Sequence, residues 1–186
     1  ELKAIALADG IDDLQPWDTG YYSEKLKVQQ YNLSQEDLKP YFPAPKILQG
    51  LFSIVNRLYG INIVERQAPV WQSDVRYFEL EEHGTVLGGF YFDLYARSGK
   101  RGGAWMSGFR SRMQTRAGLQ KPICYMVCNF TPAVGTQPAL LSHDEVNTLF
   151  HEFGHGLHHM LTEVDNISVA GTHGVAWDAV ELPSQF

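Results

Sequence analysis

Two cysteines in 186 residues cannot supply a disulfide framework. Cys124 and Cys128 are four apart in an apparent strand, on one face and about 13 Å from one another, too far to bridge. Such usage fits a reducing, intracellular setting, and a cytoplasmic location is expected. The Asn-x-Ser/Thr triplets at Asn32, Asn129 and Asn166 then read as chance matches, because glycosylation needs a secretory route. Clusters of basic residues are missing as well, and the formal net charge is −6, which argues against nucleic-acid binding. No apolar run approaches the roughly 18 residues of a membrane span, so no membrane partner is expected; no signal peptide stands at this start, which leaves open a targeting segment removed upstream. Internal repeats and low-complexity stretches are absent too. With 44% hydrophobic and 12% aromatic residues, the chain is expected to pack a real core.

Patterning divides the chain into three parts, an α+β arrangement in which helices flank a small antiparallel sheet and the last helical part follows an edge strand. Residues 1–60 read as helical: the end of a helix at Leu2, Ile5 and Ala6, a second from Trp17 to Tyr31, and a third from Pro45 to Tyr59 ending at Gly60. Residues 61–130 read mainly as strands. Ile61 to Glu65 comes first, then a hairpin of Tyr77 to Leu80 and Leu87 to Tyr95 around His83-Gly84, and last Ile123 to Phe130. That last strand reads either as an edge able to pair with peptide backbone or as an internal core strand. Residues 142–186 read as helix again. Gly99-Lys-Arg-Gly-Gly103 is glycine-rich and basic but lacks P-loop spacing, so a tight loop beside the cleft is the better account.

The sharpest signal is His151-Glu152-Phe153-Gly154-His155, an H-E-x-x-H run. Two imidazoles four residues apart lie about 40° apart around a helix, so both can reach one metal ion. Glu152 is placed to accept a proton from water held there, which makes the run a zinc-peptidase signature. Bare matches of this kind arise by chance, so context decides. Val146, Leu149, Phe150, Phe153, Leu157, Met160 and Leu161 form an apolar stripe roughly opposite the two histidines. Ser142 and Glu145 form a capping box that starts the helix, with Asp144 in its first turn.

A third ligand is needed. Glu163 would lie about 12 Å along the helix axis from His155 and cannot close the site. Glu181, 26 residues beyond His155, can, in a Gly174 to Leu182 stretch that reads as a second helix. Asp178 shares a face with Glu181 and suits either a partner for a ligand histidine or a first-turn charge. His158 falls on the metal-facing side one turn beyond His155 and reads as lining the cleft or supporting a ligand. His159 reads as solvated. His173, in the turn before the second helix, is a candidate substrate contact, set against a purely structural role.

Leu149 to Leu161, followed by Val180-Glu-Leu-Pro-Ser-Gln-Phe186, resembles the thimet-oligopeptidase family of zinc metallopeptidases. Further matches run through Asp13 to Asp18, Tyr21 to Lys25, Pro40 to Phe42, Leu94 to Arg97 and Lys100 to Trp105, so the resemblance covers essentially the whole chain. It implies a zincin-type catalytic domain, mostly helical, with one Zn2+ per chain held by His151, His155 and Glu181, and Glu152 as general base. It also implies short peptides as substrates, because the family's deep channel excludes folded proteins. Members of that family are several times longer. They carry a helical channel wall, and tyrosine and histidine residues that stabilise the oxyanion. The 186 residues are therefore expected to be a partial catalytic domain, weakly active or inactive alone. The alternatives are a peptide-binding module with a degenerate metal site, against which all four site residues are present, and a structural zinc domain, which would use four protein ligands and more cysteine.

Overall fold

The computed structural model describes residues 1–185, so Phe186 of the last matching motif lies outside the described residues. Helix α1 (Leu2–Ala8) lies against α2 (Thr19–Tyr31), and a short α3 (Gln35–Leu38) follows. Helix α4 (Ala44–Tyr59) is strongly amphipathic, burying Leu48, Leu51 and Val55 at helical spacing. Pro43 precedes it, and Gly60 ends it in the left-handed conformation at φ 72°.

Seven strands follow: β1 (Asn62–Arg66), β2 (Arg76–Glu82), β3 (Thr85–Tyr95), β4 (Trp105–Arg110), β5 (Met113–Thr115), β6 (Gly118–Gln120) and β7 (Ile123–Phe130). Five form one sheet in the order β1-β2-β3-β7-β4, while β5 and β6 make a separate small hairpin. The β2–β3 turn falls at His83 and Gly84, both with positive φ, as a tight hairpin requires. Helix α5 (His143–Met160) packs across β7, β4 and β3. Between helix and sheet lies the core, where Phe78, Phe90, Phe92, Met126, Leu149 and Phe153 are almost wholly buried.

The α+β class stands, with three corrections. The sheet is mixed, because β3 and β7 run parallel while the other pairs are antiparallel. The chain leaves β3, makes β4 and the β5–β6 hairpin, and returns to insert β7 between β3 and β4. A long excursion of that kind is what parallel pairing needs. Secondly, β7 is internal, so α5 does not follow an edge strand; the edges are β1 and β4. Thirdly, helix does not continue to residue 185. Beyond Met160 the described chain is turns and irregular backbone, including the stretch from 174 to 182. Trp177 and Leu182 there are 91% and 70% exposed, so the segment has no apolar stripe to bury. Gly171 and Gly174 adopt positive φ and Pro183 closes the stretch. So short a helix without packing is not stable.

Candidate active site

Helix α5 carries the site, and its start is well specified. Ser142 accepts a hydrogen bond from the Glu145 amide at 3.2 Å, and Glu145 accepts one from the Ser142 amide at 2.8 Å. Asp144 and Glu145 add negative charge at the positive end of the helix dipole. Leu149, Phe153, Gly156 and Met160 face the sheet, which leaves His151 and His155 half-buried on another side. Their rings lie 5.0 Å apart, nearly perpendicular.

Glu181 arrives from the turn segment. Its Oε2 lies 3.2 Å from Nε2 of His151 and 3.2 Å from Nε2 of His155. One donor atom from each residue falls within 4.8 Å of the others. Two ligands at about 2.1 Å from a tetrahedral zinc are roughly 3.4 Å from each other, so the spacing suits such an ion. Two imidazoles and a carboxylate match the chemistry of a catalytic zinc site, which keeps a fourth position open. The convergence does not need the second helix expected from the sequence, since a turn delivers the carboxylate equally well.

Two neighbouring residues escaped the sequence reading. Ser184 Oγ donates to Glu181 Oε2 at 2.7 Å and lies 2.9 Å from the Glu181 carbonyl. The Ser184 hydroxyl is the main reason the Glu181 carboxyl sits below its ordinary range; desolvation opposes this and the two histidines add to it. Gly154 is the other: a Cβ there would stand 2.4 Å from the Pro183 carbonyl oxygen. The available signal was a glycine inside a helical pattern, where alanine would favour the helix by about 1 kcal/mol.

Glu152 is 8% exposed, lies outside the three-donor group, and makes no hydrogen bond among the described residues. Its charge is felt by Cys128, whose thiol is pushed up to about 12 by burial first and by Glu152 next. Both cysteines are free and buried.

Other candidates scatter. Asp178 is exposed and bonds neither histidine among the described residues. His158 is half-buried beside Tyr59, Leu157 and Pro183, with its Nδ1 sealed and unpartnered. Burial, then the nearby His155, lowers its pKa. His173 is exposed, its Nδ1 3.2 Å from the Ala170 carbonyl and 3.5 Å from Ser111 Oγ, which ties it to its own turn and to the end of β4. His159 is not solvated: it is 1% exposed, and its Nε2 lies 3.0 Å from the Arg110 carbonyl. It lies over β4, where Gly108 leaves room for its ring. The glycine-rich loop is anchored by Lys100, which is buried against Asp93 rather than free to bind phosphate.

An apolar groove of about 580 Å³ runs between α4 and α5, with Leu51, Val55, Phe150 and Phe153 along it and His151 and Pro183 among its lining.

A family model described as Peptidase family M3 matches residues 1–186. Oligopeptidase A of Escherichia coli K12 is 56% identical over 190 residues, covering 100% of this chain and 28% of the relative. Organellar oligopeptidase A, chloroplastic/mitochondrial, of Arabidopsis thaliana is 47% identical over all of this chain and 25% of its own length. Dipeptidyl carboxypeptidase of Escherichia coli K12 is 42% identical over 92% of this chain and 25% of its own. The chain thus spans about a quarter of the length of the curated relatives it matches.

Proposed function

Given that the chain belongs to peptidase family M3, we propose that it forms the metal-holding part of a zinc-dependent oligopeptidase acting on short peptides. The observation that carries this reading is the meeting of His151, His155 and Glu181 around one point, although Glu181 lies 26 residues beyond the nearer histidine in sequence. In this reading those three hold one Zn2+, and Glu152 is the general base. The names of the relatives support the substrate class, since several are called oligopeptidase A. The complete donor set speaks against a degenerate, merely peptide-binding site.

Bound zinc would polarise the scissile carbonyl and acidify a water molecule. The protein's own part is proton handling. The Glu152 carboxylate takes the proton from the attacking water and returns it to the departing amine nitrogen. Its 8% exposure keeps few competing waters around it. His151 and His155 are held at fixed separation by α5, and Glu181 completes the set from the turn segment. His158 is assigned a place along the cleft. We assign the full rate to the full-length protein and weak cleavage to these 186 residues alone. We also assign a cytoplasmic location, supported by two unpaired buried thiols; no helix among the described residues is long and apolar enough to cross a membrane.

Glu152→Gln tests the reading. It should lower turnover of a quenched peptide by about 10²- to 10⁴-fold, in the range of general-base contributions. Elemental analysis should still find one zinc per chain. Hydrolysis retained above a few per cent of wild type would refute the base assignment. Zinc that stays bound when His151 is changed to Ala would refute the site.

A further inference from the structure

We propose that Gly154 and Ser184 are positioning residues that together seat Glu181 as the third metal ligand. The inference rests on the three-donor reading above and adds to it two residues that touch neither substrate nor metal.

The case for Gly154 is one of close approach. It sits inside α5 with ordinary helical φ, so its backbone conformation does not demand glycine. Glycine in a helix interior is less favourable than alanine, so another need must be met there. That need is visible across the gap. An added Cβ would come within 2.4 Å of Pro183 O, 2.7 Å of Ser184 Cα and 3.0 Å of Pro183 C. All three are backbone atoms and cannot swing aside as a side-chain tip would. The bare face of α5 at Gly154 is therefore a socket for the residues just after Glu181. It lies next to His155, one of the two histidines that Glu181 must reach.

Ser184 acts on the carboxylate itself. Its hydroxyl carries one proton and lies 2.7 Å from Glu181 Oε2 and 2.9 Å from the Glu181 carbonyl. The bond to the charged oxygen is the stronger choice. Oε2 is the same oxygen that lies 3.2 Å from both imidazole Nε2 atoms. A carboxylate oxygen has two lone pairs, so Ser184 can hold one while the other serves the metal. The Glu181 side chain is 51% exposed and sits in a turn, so packing alone does not restrain it. The Gly154 socket fixes the backbone, and the Ser184 hydroxyl fixes the carboxylate.

The test measures metal binding by the purified full-length protein, with Zn2+ in competition against a chromogenic chelator and Co2+ as a spectroscopic probe. Ser184→Ala should weaken Zn2+ binding about 10- to 100-fold, as loss of groups that orient ligands does, and should alter the Co2+ visible bands. Ser184→Thr, which keeps the hydroxyl, should restore affinity to within a few-fold. Gly154→Ala should weaken Zn2+ at least about 10-fold, although alanine favours the helix, so the thermal midpoint of the metal-free protein should hold or rise. Wild-type Zn2+ affinity and Co2+ bands in both Ser184→Ala and Gly154→Ala would overturn the inference. His151→Ala, run alongside, separates the two failures: if it abolishes binding while the seat variants bind normally, the metal site stands and the seat falls. If His151→Ala also binds normally, the three-donor reading is what fails.

Discussion

Asp93 shows how one carboxylate can organise a loop. It is 4% exposed, yet it accepts from Arg97 at 2.6 and 2.9 Å, from Lys100 at 2.8 Å and from Trp71 Nε1 at 2.9 Å. Burial alone would raise its pKa, but the bonds from Arg97, Lys100 and Trp71 outweigh burial and bring it down to about 2 from 3.8. A shift of that size corresponds to roughly 2 kcal/mol of stability. Because the folded value is depressed, this stability is complete above about pH 5, where the unfolded side chain is already ionised. It is lost as the pH falls toward 2. Asp93→Asn should therefore lower the thermal midpoint at pH 7 and flatten its dependence on pH between about 4 and 2. Acid titrations of the two proteins followed by circular dichroism check this; parallel curves would show that Asp93 is not the group responsible. The sequence offered Lys100 as a member of a basic, glycine-rich stretch, and only the fold shows that its charge, with that of Arg97, is spent on one buried aspartate.

Helix α5 is the element on which the site depends, and one aromatic ring does most to fix it. Phe153 is 1% exposed, with ring centroids 5.4 Å from Phe90 and 5.9 Å from Phe92 on β3. It stands between the base candidate Glu152 and the socket at Gly154. Phe153→Ala should cost about 3–5 kcal/mol, against about 1 kcal/mol for removing the Ser142 cap. Urea unfolding of the two variants measures the ratio, and equal losses would mean that capping, not the ring, anchors the helix. The same helix was plain in the sequence, because its apolar stripe, capping box and histidine spacing agree with one another. Strand β7 was legible to the residue, since Ile123 to Phe130 is dense in apolar residues. Strand β4 was not: Trp105-Met-Ser-Gly-Phe-Arg110 neither alternates nor ends in a turn signal. Parallel pairing of β3 with β7 is a long-range choice that no local pattern records. The Gly174 to Leu182 stretch misled for a related reason. Helical spacing of Asp178 and Glu181 is real in sequence, but without a surface to pack on it does not become a helix.

Residues 161–185 are joined to the rest of the molecule by few links, and one of these is the candidate metal centre. Arg112 Nε meets Asp165 at 2.6 Å, and the Gln114 amide bonds the Asp165 carbonyl at 3.0 Å. Gly171 then packs on His159, and the last contact is Glu181 with the two α5 histidines beside the Gly154 socket. Between these anchors most side chains are exposed. Segments of this kind open with small free energies, well below that of the core. A ligand that binds only the closed arrangement lowers the open population by the factor 1 + [L]/Kd, so free Zn2+ at about 100 times its Kd adds roughly 2.7 kcal/mol. Hydrogen exchange should thus slow by about 100-fold at the amides of 175–185 when zinc is added, and return on chelation. Amides of β3 and β7 should respond less, because their opening already requires disruption of the core. Glu181→Gln should lose most of the zinc-induced protection while keeping the metal-free exchange pattern. Equal protection in Glu181→Gln and wild type would mean that zinc closes the segment through other atoms, and the link between the turn and helix α5 would have to be drawn elsewhere.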